Sequence, residues 1–245
     1  RILKARSNHL SGILNGVDTV SWNPATDQKI AANFSKNNLK GKEECKRALQ
    51  RELGLPVRSD QPLFGFISRL DFQKGVDQIE AVLPWLVQQG AQVVLLGTGD
   101  PRLEAFVRRA NQYLRVAGLV TFSNDLAHKI TAGSDFLLMP SRFEPCGLTQ
   151  QHALLYGTLP IVHATGGLRD TVHSFNPKTK TGNGWSYYPL QEQKLQQALK
   201  WALTTYYHAK SDLHALRMNA MSAERSWSQA AEKYEKVLTS VLRRK

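Results

Sequence analysis

Short apolar runs alternate with helical patterns along most of the chain, which is the rhythm of βα units around a parallel sheet. Leu63 to Ser68 (LFGFIS) reads as the first strand. Val76, Ile79, Leu83 and Leu86 then share one helical face, and Pro84 predicts a break or restart near Leu83. Gln92 to Gly97 (QVVLLG) is the second strand. Asp100 caps the next helix, Pro101 takes its first position, and Leu103, Phe106, Val107, Ala110 and Leu114 form its apolar stripe. A third strand is expected at Gly118 to Phe122, with a short helix running to Ala132. Asp135 to Met139 is the fourth strand, Gly147 to Tyr156 a helix, and Leu159 to Val162 the fifth strand. Asn176 to Gly184 is a polar loop. Beyond Leu190 the spacing is helical throughout, first over Leu195 to Tyr206 and then over Ala230 to Val241. Residues 1–40 carry no long periodic segment and read as connector and loop. The expected fold is α/β, a Rossmann-like parallel sheet with helices on both faces.

Composition narrows this picture. At about 150 residues per domain, the 245-residue chain holds one large domain and an appendage, or two small domains. Its 42% hydrophobic content is enough to bury a core. Only Cys45 and Cys146 are present, which excludes a disulfide-stapled scaffold and a four-cysteine zinc site. The seven histidines show no paired metal spacing, so no metal is expected. No apolar run nears the ~18 residues of a membrane span, and no secretory signal is readable, so no membrane partner is expected. Lys and Arg number 32 against 20 Asp and Glu, a net +12 that suits an anionic partner. Zinc-finger, basic-zipper and RNA-recognition signatures are missing, so that partner is not read as nucleic acid.

In an open parallel sheet, ligands bind beyond the carboxyl ends of the strands. Arg69 and Lys74 follow the first strand, where two cations and a helix start suit a phosphate or diphosphate. Two solvated basic residues are the plainer alternative. Gly97-Thr98-Gly99 begins a dinucleotide fingerprint but lacks its third glycine, and a tight turn explains it equally well. After the fourth strand come Glu144, Cys146, Gly147, Leu148 and Thr149 at a helix start. Glu144 could accept sugar hydroxyls there, or simply face the helix dipole. Cys146 has no His–Asp or His–Asn partner pattern and reads as a packed thiol. Gly166 and Gly167 after the fifth strand allow close backbone approach, or a plain turn. The five tryptophans read mostly as packing anchors, Trp85 and Trp201 in particular.

At these residues the sequence resembles a known family. Gln73-Lys74-Gly75 after Arg69, SRFEPCGLTQ (141–150) and GTLPIVHATGGLRDTV (157–172) look like the bacterial glycogen synthase and plant starch synthase family, and most like its soluble class I branch. GILNGVDTVSWNP (12–24) resembles that family's interdomain segment. The resemblance implies retaining glucosyltransferases of the GT-B fold, and places this chain as the carboxyl-terminal half of one. It implies residues 1–18 as interdomain linker, 19–227 as the nucleotide-sugar-binding domain, and 228–245 as a helix crossing back to a missing amino-terminal domain of the same enzyme. It implies Arg69, Lys74 and Glu144 as catalytic, with Gly147, Leu148 and Thr149 beside the phosphates. Asn15, Thr165, Gly166 and Gly167 would lie near the sugar, and Phe122 against adenine. Related glycosyltransferases place a second Glu where this chain has His152, so His152 would stand on the ribose side. The implied substrates are ADP-glucose and an α-1,4-glucan, with ADP as product and no cofactor. The implied compartment is the plastid stroma in a plant or alga and the cytoplasm in a bacterium. An alternative reading is a glucan-binding or scaffolding module using Trp185, Tyr187 and Tyr188.

Overall fold

The computed structural model describes residues 2–242. Arg1 of the expected linker and residues 243–245 of the expected crossing helix lie outside them. The elements run α1 (Ile2–Ala5), α2 (Lys40–Glu52), β1 (Leu63–Ile67), α3 (Val76–Gln88), β2 (Gln92–Leu96), α4 (Pro101–Ala110), β3 (Val116–Leu119) and α5 (Asn124–Gly133). They continue through β4 (Phe136–Met139), α6 (Thr149–Leu155), β5 (Leu159–His163), α7 (Gly166–Thr171), β6 (Trp185–Tyr187), α8 (Glu192–His208), α9 (Lys210–Ser222) and α10 (Trp227–Leu242).

All six strands pair in parallel, in the order β3-β2-β1-β4-β5-β6. Parallel strands covered by helices on both faces must be apolar on both sides, and these are. Phe64, Phe66, Phe136 and Leu138 point into the larger core, against α3, α4 and α8. Leu63, Val94 and Leu96 face the opposite way, against Leu49 of α2 and Ile130 of α5. On that same second face Leu137, Met139 and Val162 meet Ala153 of α6 and Leu168 of α7.

Several boundaries differ from the sequence reading. Pro84 does not interrupt α3, which runs unbroken to Gln88. Its ring lies on the exposed side of the helix. The third strand is Val116–Leu119 rather than 118–122, because Ser123 turns away to cap α5 with its hydroxyl. Leu114 is not part of the α4 stripe. The Asn111 side chain bonds both backbone groups of Gly118, which ends the helix and leaves Leu114 79% exposed. Trp85 packs against the core, but Trp201 is not an anchor and lies 42% exposed.

Four elements escaped the sequence reading, the short α1 and α7 among them. Helix α2 hides in a charged stretch because two of its inward positions are the aliphatic stems of Lys42 and Lys46. Strand β6 is three residues long and follows a polar turn. The order of the strands puts the reversal of connection direction between β1 and β4. Both strands end at the same side there, and a crevice opens between their outgoing loops.

Candidate active site

The loop after β1 begins with Leu70 fully buried, which turns its neighbour Arg69 outward. Asp71 then caps a short helical turn, Phe72–Lys74, by accepting the Lys74 backbone N–H. Gly75 closes the turn at φ +70°, and a Cβ there would overlap the Pro140 carbonyl oxygen at the end of β4. That close approach brings the two loops together. The Lys74 ammonium donates to Glu144 Oε2 at 2.6 Å, directly over the switch point. Glu144 is only 8% exposed and receives a second, longer bond from the Ser141 hydroxyl at 3.4 Å. Arg69 stands apart. Its guanidinium pairs with Asp71 at 3.2 Å and is 72% exposed, free to swing toward a ligand at the mouth.

A second bridge between these loops was not visible in the sequence. Arg142 forms two parallel bonds to Asp77, at 2.8 and 2.7 Å, and lies on the Phe72 ring at 3.5 Å. It also donates to the Phe72 carbonyl, while Gln73 Nε2 donates to the Phe143 carbonyl. The Arg142 guanidinium holds the Asp77 carboxyl below its usual range. The planar fork locks the geometry of both loops. His163, at the end of β5, donates from Nδ1 to the Ser141 carbonyl at 2.7 Å and so fixes the same loop from its other side. None of these partners is near another in sequence, so no local pattern signals them.

Past Glu144, Gly147 takes φ +71° and α6 begins. Leu148 caps it without a side-chain bond, so its first-turn N–H groups are not claimed by a capping side chain. Gly166 and Gly167 pack beneath this loop. The Gly167 N–H donates to the Glu144 carbonyl, and a Cβ on either glycine would overlap the loop's backbone. Their role here is to support Glu144 from below, with Thr165 as the residue preceding α7. Phe122 lies at the carboxyl end of β3 with its ring 90% exposed, an open stacking face.

Asn15 lines a cleft with Gln151, Thr171 and Ser226, and Gln151 donates in turn to the Gly147 carbonyl. The backbone bond from Val17 to Arg225 ties the 12–18 segment to the start of α10. His152 stacks on Trp22 at 4.0 Å. The other face of Trp22 carries His128 at 3.7 Å, and His128 and Tyr156 both donate to Asp27. Burial first, then the charge of His128, lowers the His152 pKa from 6.5 to about 4, with Asp18 opposing. An unfolded chain therefore takes up a proton between these values that the folded chain refuses. Stability should be full above pH 6.5 and fall as the pH drops toward 4, by up to about 3 kcal/mol. Urea unfolding across that range checks this, and His152→Phe, which keeps the stack, should flatten that part of the slope.

Among the described residues no group of three or more His, Cys, Asp or Glu is arranged to hold a metal ion. At the switch point of the parallel sheet, the nearly buried Glu144 is paired with Lys74, while Asp71 and Asp77 of the same loops pair with Arg69 and Arg142.

Residues 52–222 match the sequence profile of the family described as glycosyl transferases group 1, and the chain belongs to that family. Among curated proteins it is 49% identical over 244 residues to soluble starch synthase 1 of Solanum tuberosum, covering 97% of this chain and 38% of that protein. It is 52% identical to starch synthase 2 of Arabidopsis thaliana, over 94% of this chain and 30% of that protein. The chain thus spans well under half the length of these relatives. Among solved structures it superposes on the catalytic domain of starch synthase IV from Arabidopsis thaliana, bound to ADP and acarbose, with a TM-score of 0.91 and 39% identity. That match covers 98% of this chain and 50% of the other, and it places the sheet described above in a GT-B glycosyltransferase.

Proposed function

We propose that this chain is the donor-binding, carboxyl-terminal domain of a starch synthase. The parent enzyme transfers glucose from ADP-glucose to the non-reducing end of an α-1,4-glucan with retention. The observation that carries this reading is the Lys74–Glu144 pair at the switch point, in a chain so similar to starch synthases. Glucosyl transfer builds negative charge on the departing diphosphate. Fixed positive charge aimed at that group lowers the barrier, because it needs no reorganisation as the bond breaks. Lys74 supplies it from a held position, and Arg69 from an exposed one that closes on the donor. The uncapped N–H groups at Leu148 and Thr149 take phosphate oxygens. Glu144, fixed by Lys74, accepts from glucose hydroxyls and stabilises positive charge developing on the sugar. Phe122 offers its ring to adenine. A hydrolase would need two carboxylates flanking the bond, and the other carboxylates of these loops, Asp71 and Asp77, are paired with Arg69 and Arg142.

The acceptor side belongs to an amino-terminal domain, as the chain's share of its relatives suggests. The isolated chain is expected to bind nucleotide without turnover. The group supplied by the substrate is ADP-glucose itself, and no cofactor is invoked. In a plant or alga the enzyme works in the plastid, in keeping with the chloroplastic and amyloplastic relatives; in a bacterium it would be cytoplasmic. The scaffolding alternative is weakened because Trp185 and Tyr187 are buried, leaving only Tyr188 exposed.

Calorimetric titration of the chain with ADP and with UDP tests the proposal. ADP should bind more tightly than UDP, and Arg69→Ala should weaken ADP by about tenfold, the scale of one charged hydrogen bond. Equal binding of both nucleotides would remove the adenine preference. Unchanged ADP affinity in Arg69→Ala would remove Arg69 from the site.

A further inference from the structure

At the amino ends of the strands, opposite the donor mouth, the chain holds a cavity of about 550 Å³. Gly133 and Asp135, just before β4, form part of its wall, whereas Glu144 lies beyond the other end of that strand. Six Lys and Arg side chains line it against two carboxylates, Glu43 and Asp135. Asp135 is already committed to both Lys46 and Arg217, at 2.7 Å each. Arg47 pairs with Glu44 at 2.8 Å, which leaves Lys36, Lys42 and Lys210. Lys42 is buried, and its ammonium donates only to the neutral Ala132 carbonyl and Thr158 hydroxyl. Lys210 rests over the Tyr206 ring at 4.1 Å and pairs with no carboxylate among the described residues. The Arg217 Nε–H is buried without a hydrogen-bond partner.

Burying the Lys42 ammonium without counter-charge and the Arg217 Nε–H without a partner is costly, and with the exposed Lys210 beside them this concave space favours an anion. We infer that this cavity is a binding site for a phosphate group, either inorganic phosphate or the phosphate of a small ester, held by Lys42, Lys210 and Arg217. Ammonium and guanidinium donors match the charge and the several acceptor oxygens of a phosphate. The volume falls within the roughly 300–1,000 Å³ of small-molecule sites. Burial, and then the charge of Arg217, lowers the Lys42 pKa to about 7, and a bound dianion would restore its proton. This site is independent of the donor reading, because it uses none of the same residues.

The test titrates the chain with inorganic phosphate and with glycerol 3-phosphate, by calorimetry and by amide NMR shifts. Glycerol and chloride at matched ionic strength are the controls. Saturable binding of either phosphate is expected, with shifts on residues 36–47 and 206–217. Lys36→Glu with Lys210→Glu should weaken it at least about tenfold through charge alone. Both residues are exposed, and unchanged urea midpoints would show the fold intact. Lys74→Ala should leave this binding untouched. Tighter binding of the ester identifies a phosphorylated small molecule as occupant, and equal or tighter inorganic phosphate identifies the free ion. The inference is overturned by no saturation up to about 10 mM, a Kd too weak for a specific small anion. Equal competition by chloride, unchanged affinity in the double variant, or shifts confined to residues 69–75 and 144–149 would also overturn it.

Discussion

Lys74→Ala, placed in a two-domain enzyme, is expected to lower kcat with ADP-glucose and a maltooligosaccharide by about 10²–10³-fold, the scale of losing one preorganised charge donor at the transition state. KM for the donor should rise much less, since the charge that Lys74 meets grows as the diphosphate departs. The geometry adds a second contribution to the same loss. Lys74 is the short 2.6 Å partner of a nearly buried carboxylate, so its removal frees Glu144 to rotate. Glu144→Gln separates the two effects. It keeps the size of the side chain and leaves Lys74 to meet the phosphate, so it reports only on the sugar side. Initial rates measured at saturating and limiting donor decide the matter. A Lys74→Ala enzyme running within a few-fold of wild type would remove the donor-side assignment altogether.

The largest loss of stability is expected from Asp135→Ala, about 3–5 kcal/mol, because it strands buried cations. Asp135 is 4% exposed, accepts from Lys46 and Arg217, and also accepts the Leu63 N–H at the start of β1. One carboxylate thereby ties α2, α9 and two adjacent strands. Burial alone would raise its pKa, but the charges of Lys46 and then Arg217 outweigh it and hold the value below 3.8. A carboxylate held down in the folded state stabilises above the unfolded value. That contribution is present at neutral pH and is lost as the pH falls below 3.8 toward the folded value. Urea midpoints of wild type and variant at pH 7 and pH 3 should therefore converge at the acid end. A difference under about 1 kcal/mol at pH 7 would mean that the two cations find water without Asp135.

The sequence shows most of this sheet because parallel strands buried on both faces appear as unbroken apolar runs, and four of the five expected strands fall within about a residue of their places. The third slipped because the buried pair Val116 and Ala117 is short, and the apolar Val120 and Phe122 beyond it belong to the loop. Helix α2 was invisible to hydrophobic spacing because lysine stems do part of its packing. Arg69, Lys74 and Glu144 stood out at strand ends, but each had a plainer reading there, and their roles came from the family resemblance. Their supporting bonds were not legible, since Arg142 reaches Asp77 across 65 residues and His163 reaches Ser141 across 22. Asn15 and His152 rested on family resemblance only, with no strand-end logic behind them.

The 70 residues separating Lys74 from Glu144 have a kinetic meaning. Each partner sits on a loop that depends on the other, through Gly75 against Pro140 and Arg142 against Asp77. Neither loop can hold its shape until β1 and β4 have paired, and that pairing brings together segments with two βα units between them. Long-range parallel pairing is slow, because chain closure must precede the contacts that reward it. On refolding, helix content and the β1–β2 half should therefore recover before the ability to bind nucleotide. A newly made chain would acquire its helices first and its chemistry last.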